Sequence, residues 1–154
     1  ARLVAFGVTT IRNPGGDLAA AARYEQRRRD GSLIGPQSFN AGPVLNTAEL
    51  PGLATQVTTP EQMRTAVAQQ VEAGADWIKL YTGLDAELLH AGIEAAHAHG
   101  RPTVAHLDQV SWPDALELTI DDHFNIAAQH DKDFLIGVTV FIRSVTLRAV
   151  HHKE

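Results

Sequence analysis

GADWIKLYTGLDAELLHAGIEAAHAHGRPTVAHL, residues 74–107, decides the fold, because it runs strand, loop, helix, turn, strand without a break. That order is the sequence form of a parallel βαβ unit. In Trp77-Ile78-Lys79-Leu80-Tyr81 the two-residue period of a strand places Trp77, Lys79 and Tyr81 on one face and Ile78 and Leu80 on the other. In the second strand, Thr103-Val104-Ala105-His106-Leu107, Val104 and His106 share a face. Two ionisable residues, Lys79 and His106, therefore stand at or near the carboxyl ends of consecutive parallel strands, where α/β folds build their sites. The steric rule for such crossovers predicts a right-handed connection.

The helix between the strands carries its own punctuation. Asp85 is placed to cap it, Leu89, Ile93 and Ala96 repeat at helical spacing, and Gly100 closes it ahead of Pro102. His97 and His99 form an H-x-H pair, but inside a helix residues two apart point about 200° apart and cannot share one ion. These two and His90 read as surface helix residues.

Working outward, the chain keeps alternating. Residues 2–12 read as a helix end, a glycine stop at Gly7 and a strand, and Asn13-Pro14-Gly15-Gly16 is a turn. Asp17 caps a helix running to about Arg29. The basic cluster Arg27-Arg28-Arg29 suits the end of that helix, where cations meet the macrodipole. Residues 30–53 are rich in glycine and proline and read as a loop with one short strand near residues 38–41. Thr59-Pro60-Glu61-Gln62 has the form of a capping box, opening a helix with a buried stripe of Met63, Val67 and Val71. Ser111-Trp112-Pro113-Asp114 starts a helix to about Leu118, leading to Ile120-Asp121-Asp122-His123-Phe124. The division expected is an α/β segment over residues 1–133 and a β-rich tail over residues 134–154.

Composition narrows the function. The chain has 154 residues, 44% of them hydrophobic and 20% charged, enough for one globular unit with a core. A net charge of −5 argues against nucleic acid and anionic membrane as partners. With no cysteine there is no thiol nucleophile and no cysteine zinc site, which fits a reducing, cytoplasmic compartment. No run approaches the roughly 18 apolar residues of a membrane span. Starting on Ala1-Arg2-Leu3 rather than methionine, the chain reads as beginning inside a longer protein.

Four segments bring a family into view. Phe6-Gly7-Val8-Thr9-Thr10-Ile11-Arg12 followed by Pro14-Gly15-Gly16, then Gly74-Ala75-Asp76-Trp77-Ile78-Lys79-Leu80-Tyr81, then Ala96-His97-Ala98-His99-Gly100, then Val104-Ala105-His106, resemble the metal-dependent amidohydrolase superfamily. More narrowly they resemble its imidazolonepropionase-like and prolidase-like members, over about residues 1–124. The resemblance implies a partial (β/α)8 TIM-type barrel, of which a chain this long supplies about five parallel strands with flanking helices. It implies hydrolysis of an amide bond, peptide-like or cyclic, by a water activated on one or two divalent metal ions, zinc foremost. By the same resemblance Lys79 takes the place of the lysine that becomes carboxylated and bridges two metals, and His106 that of a ligand histidine on the next strand.

The chemistry accounts for a lysine in that role. An ammonium cannot ligate a metal, whereas a neutral lysine captures carbon dioxide as a carbamate, an anionic group with two donor oxygens. Burial disfavours the charged amine and so favours the reaction.

The departures from the family pattern are informative. Its H-x-H pair on the first strand would precede Ala1, and its aspartate after the eighth strand has no counterpart in the last thirty residues. Where a further ligand histidine is expected, the text reads Ile120-Asp121-Asp122-His123-Phe124-Asn125-Ile126-Ala127, which leaves His123 as a third metal candidate in a shifted register, with His130 beyond it. Tyr81 and Arg12 are the candidates for substrate contact, Arg12 through a carboxylate or else a structural ion pair. Each residue also has a plain reading. Lys79 can pack its stem while its amine reaches water, and His106 can be a hydrogen-bonded core histidine.

Three functions remain open from the sequence. One is a segment of an amidohydrolase acting on a small-molecule or peptide-like amide, completed by the remainder of the barrel or as a homo-oligomer. The second is a catalytically silent fragment or binding module, expected to bind metal weakly and to hydrolyse little. The third is a stand-alone α/β domain, flavodoxin-like in topology, using residues 30–53 for a small ligand.

Overall fold

The computed structural model describes residues 2–125, and for Trp112 and residues 122–125 the backbone alone. The tail expected over residues 134–154, and His130, lie outside the described residues. The elements are α1 (Arg2–Ala5), β1 (Thr10–Asn13), α2 (Leu18–Arg29), β2 (Gln37–Asn40), β3 (Val44–Asn46), β4 (Ala54–Gln56), α3 (Pro60–Glu72), β5 (Ile78–Leu80), α4 (Ala86–Ala98), β6 (Thr103–Leu107), α5 (Trp112–Glu117) and β7 (Asp122–Asn125).

Local chemistry sets most of these boundaries. Asp17 Oδ1 accepts the N–H groups of Ala19 and Ala20 and starts α2, and Asp85 Oδ1 accepts the N–H of Leu88 at 2.9 Å and starts α4. Thr59 Oγ1 accepts the N–H of Gln62 at the start of α3, with Pro60 in the first turn. The reciprocal half of the capping box is displaced by one residue, because Gln62 Oε1 accepts from the N–H and hydroxyl of Thr58. Gly100 ends α4 at φ +65°, a left-handed conformation that costs a glycine nothing.

Every strand pairing among the described residues is parallel. β1 pairs with β2, and a five-stranded sheet runs in the order β4-β3-β5-β6-β7. The sheets meet at β5. The N–H of Asp76 donates to the carbonyl of Asn40 at 2.9 Å, and the N–H of Tyr81 donates to the carbonyl of Leu45 at 2.8 Å. The segment from β2 through β3 thus runs alongside β5, with Gly42-Pro43 at the break between its halves.

The count of strands corrects the expectation of about five. Seven are present among the described residues: β2 is the short strand expected near residues 38–41, and the two beyond the expected number are β3, inside the segment read as a loop, and β4, directly after it. Strand and helix alternate around residues 78–107 as expected, with β5 and β6 adjacent and parallel and α4 between them. The architecture is α/β, parallel strands with flanking helices.

The two faces of the sheet differ. One is covered by α3 and α4 through a core of Leu45, Ile78, Leu80, Ala105 and Leu107 from the strands, Met63 and Val67 from α3, and Leu88, Leu89 and Ile93 from α4. Burying each of these side chains larger than alanine contributes about 1.5–3 kcal/mol. The helix lies close to the sheet at Gly92, where a Cβ would stand 2.7 Å from Leu80 Cδ2 and 3.2 Å from Met63 Sδ. The opposite face carries a separate cluster of Ala41, Trp77 and Val104, and the polar candidates stand on that face.

Candidate active site

Parallel register brings the central candidates together. Lys79 pairs in register with Val104, so the two share a face, and His106 lies two residues further along the same face of β6. Tyr81 holds the equivalent place beyond Lys79. The rings of Tyr81 and His106 stand 4.9 Å apart between centroids with their planes inclined at 51°, and Lys79 Nζ lies 5.9 Å from the Tyr81 ring centroid. Three side chains from two neighbouring strands therefore gather at the carboxyl ends of β5 and β6. The plain reading of Lys79, an amine turned to bulk water, does not hold, because the residue is only 2% exposed.

The electrostatics agree with proximity. Burial, and after it the charge of Lys79, pushes the His106 imidazole down to about 4. At neutral pH the ring is uncharged and keeps a nitrogen lone pair, the form in which histidine binds a metal.

Arg12 stands lower on the same face. Its guanidinium carbon lies 4.5 Å from the centroid of the Trp77 ring, a cation–π arrangement, and Trp77 stands two residues before Lys79, directly ahead of β5. His123 lies on β7, where the register sets it beside Ala105 and sets Phe124 beside His106. The strand position level with His106 is thus that of Phe124, and the side chain of His123 lies outside the described residues. Among the described residues no group of three or more His, Cys, Asp or Glu gathers where it could hold a metal.

Other polar residues have structural work. Asp76 Oδ2 accepts the N–H of Asn40 at 2.8 Å and ties β2 to the start of β5. Asp108 is exposed and accepts from Gln109 Nε2 at 3.2 Å. His90, His97 and His99 are exposed on or next to α4, as their spacing predicts. His97 has a partner that the spacing did not announce, since its Nε2 lies 2.8 Å from Asp121 Oδ2, which also accepts the N–H and hydroxyl of Thr103.

A residue absent from the sequence reading stands at the same strand ends. Asn46 closes β3 and is 3% exposed, and Thr47 beside it donates its hydroxyl to the carbonyl of Gly83 at 3.1 Å. The signal was the apolar pair Val44-Leu45 directly before a polar pair, Asn46-Thr47, obscured by the surrounding prolines and glycines.

No protein-family model and no curated protein matches the sequence. Solved structures do match it. A Bifidobacterium longum protein assigned as a prolidase superposes with a TM-score of 0.61 at 30% identity, over 76% of this chain and 32% of that one. The bottromycin amidohydrolase AH superposes with a TM-score of 0.65 at 25% identity, over 79% of this chain and 27% of that one. The fold is that of a part of these amidohydrolase structures. An Xaa-Pro dipeptidase with methionine bound in its active site shares it, with a TM-score of 0.61 at 22% identity over 75% of this chain and 36% of the other. The chain spans about a third of the length of these amidohydrolase-fold structures.

Proposed function

We propose that this chain is a segment of a metal-dependent amidohydrolase with a (β/α)8 barrel, and that Lys79 and His106 are its contribution to a divalent metal site, zinc foremost. The reading is carried by one observation, the convergence of buried Lys79, neutral His106 and Tyr81 at adjacent strand ends in an amidohydrolase fold. The donor set fits a metal in kind. His106 offers a neutral imidazole nitrogen, and Lys79 offers two oxygens once its amine has taken up carbon dioxide, forming an N–C bond and releasing a proton. A divalent metal held there supplies Lewis acidity and activates water at neutral pH, the chemistry that amide hydrolysis needs.

The chain's own residues do the rest. The helix-covered core fixes β5 and β6 in register, so that Lys79 and His106 are positioned before any ligand arrives. Tyr81 stands at the rim, where its ring limits the approach to His106 and its hydroxyl can meet a polar group of a small-molecule or peptide-like amide. Arg12, held on Trp77, places a positive charge deeper on the same face.

The number of donors sets the activity of the chain alone. A catalytic zinc takes three protein ligands, and among the described side chains Lys79 and His106 are two. The isolated chain therefore binds divalent metal weakly and hydrolyses little, the catalytically silent reading, while the complete site needs donors from further chain or from association. Equilibrium dialysis with zinc and bicarbonate, comparing the native chain with Lys79→Ala, tests the proposal. Lower uptake by the variant is expected, and equal uptake removes Lys79 as a ligand.

A further inference from the structure

Asn46 stands out because its environment selects one half of its side chain. It closes β3 at the carboxyl end of the sheet, directly after Leu45, whose carbonyl accepts the N–H of Tyr81. Leu45 belongs to the helix-covered core, so strand alternation turns Asn46 to the face of Tyr81, Lys79 and His106. The residue is 3% exposed, and a buried amide without partners is costly. Its Oδ1 is engaged, accepting the N–H of Thr47 at 3.0 Å. That bond also settles which way the amide faces, since an amine there would meet a donor. The Nδ2 group makes no hydrogen bond within the described residues.

The loops around Asn46 hold it still. Thr47 donates its hydroxyl to the carbonyl of Gly83 and accepts a bond at its own carbonyl from Gln56 Nε2 at 3.0 Å. Gly83 sits two residues beyond Tyr81 at φ +80°, and a Cβ there would stand 2.7 Å from Thr47 Oγ1, so only glycine lets the two loops approach this closely. The arrangement is a donor whose acceptor half is occupied, fixed between the loops that follow β3 and β5.

We propose that Asn46 binds the amide substrate at this mouth, donating a hydrogen bond from Nδ2 to an acceptor oxygen of the substrate, a carbonyl or a carboxylate. The inference rests on the amidohydrolase reading for the presence of an amide substrate, and adds to it that the substrate presents an oxygen rather than an N–H toward β3. A positioned donor discriminates strongly, because a ligand that covers the amine without offering an acceptor leaves it unpaired.

The test follows the side-chain amide itself. A 15N-labelled native chain is titrated with the dipeptide alanyl-proline, and the Asn46 NH2 pair, identified by its loss in Asn46→Asp, is followed by NMR. Asn46→Asp keeps an oxygen for the Thr47 N–H and replaces the donor with a second oxygen that also brings a carboxylate charge, so Asn46→Ser, which removes the amine without that charge, is measured beside it, with the thermal midpoint of each. The expected result is a saturable shift of the NH2 pair and dipeptide binding at least tenfold weaker in both variants. A stationary NH2 pair while the backbone amides of Tyr81 and His106 shift overturns the role of Asn46 and leaves the site reading standing. If no resonance at the strand ends moves, both fail. The native chain's own resonances decide the matter even where a variant does not fold.

Discussion

Removing the Asp76 carboxylate should open the seam between the two sheets. Its Oδ2 accepts the N–H of Asn40 at 2.8 Å, and Asn40 is 6% exposed, so Asp76→Ala removes the acceptor of a largely buried donor. A hydrogen bond to a charged group is worth about 1.5–3 kcal/mol, and a buried N–H left unsatisfied costs about 1–3 kcal/mol. These describe the same event from two sides and are not summed, which places the loss near 2 kcal/mol. With a urea slope of about 1–3 kcal/mol per molar, the unfolding midpoint should fall by about 1 M. Asp76→Asn keeps an uncharged acceptor and should lose about half as much. Native-state hydrogen exchange localises the effect, since the Asn40 amide should exchange faster in Asp76→Ala than amides of α4, remote from the seam. An unchanged midpoint together with an equally protected Asn40 amide would refute the seam argument.

Two further predictions concern protonation. Glu25 accepts from Ser38 N–H at 2.7 Å and from Arg28, and these bonds outweigh burial to hold its carboxyl below the usual range. Its stabilising contribution is therefore present above the unfolded carboxylate pKa and lost as pH falls through the lower folded value; urea unfolding of Glu25→Gln should show a shallower acid slope, and an identical slope would count against it. In the metal-free chain His106 should titrate near 4 by NMR, so its neutral form stabilises the fold above about 6.5 and that contribution fades as pH drops toward 4. Lys79→Ala removes the second cause of the shift but not the burial, so the His106 value should rise without reaching that of a free imidazole; an unmoved value would show that the two do not sense each other.

Helix boundaries were readable because they rest on contacts within a few residues. Asp17, Asp85, Thr59 and Ser111 each accept from the first turn of the helix that follows. The central unit was readable for the same reason, since Gly100 and the periodicity of residues 86–98 are local. β3 and β4 were not, because three residues each do not express a period and their identity depends on partners up to 35 positions away, as Leu45 on Leu80. Lys79 and His106 were legible as a pair because alternation and strand adjacency fix the face of each. Asn46 was not, since its face depends on a change of alternation across Gly42-Pro43 that only the paired structure shows. His123 depended on register, which a single strand does not reveal.

The central claim, that Lys79 and His106 serve one metal site, is tested most directly by carbon-13 NMR of the chain in labelled bicarbonate, with and without zinc. A carbamate resonance that appears with zinc, vanishes in Lys79→Ala and weakens in His106→Ala is the predicted result. A resonance of equal strength in the native chain and Lys79→Ala, or none at any zinc concentration that the native chain binds, would contradict the account.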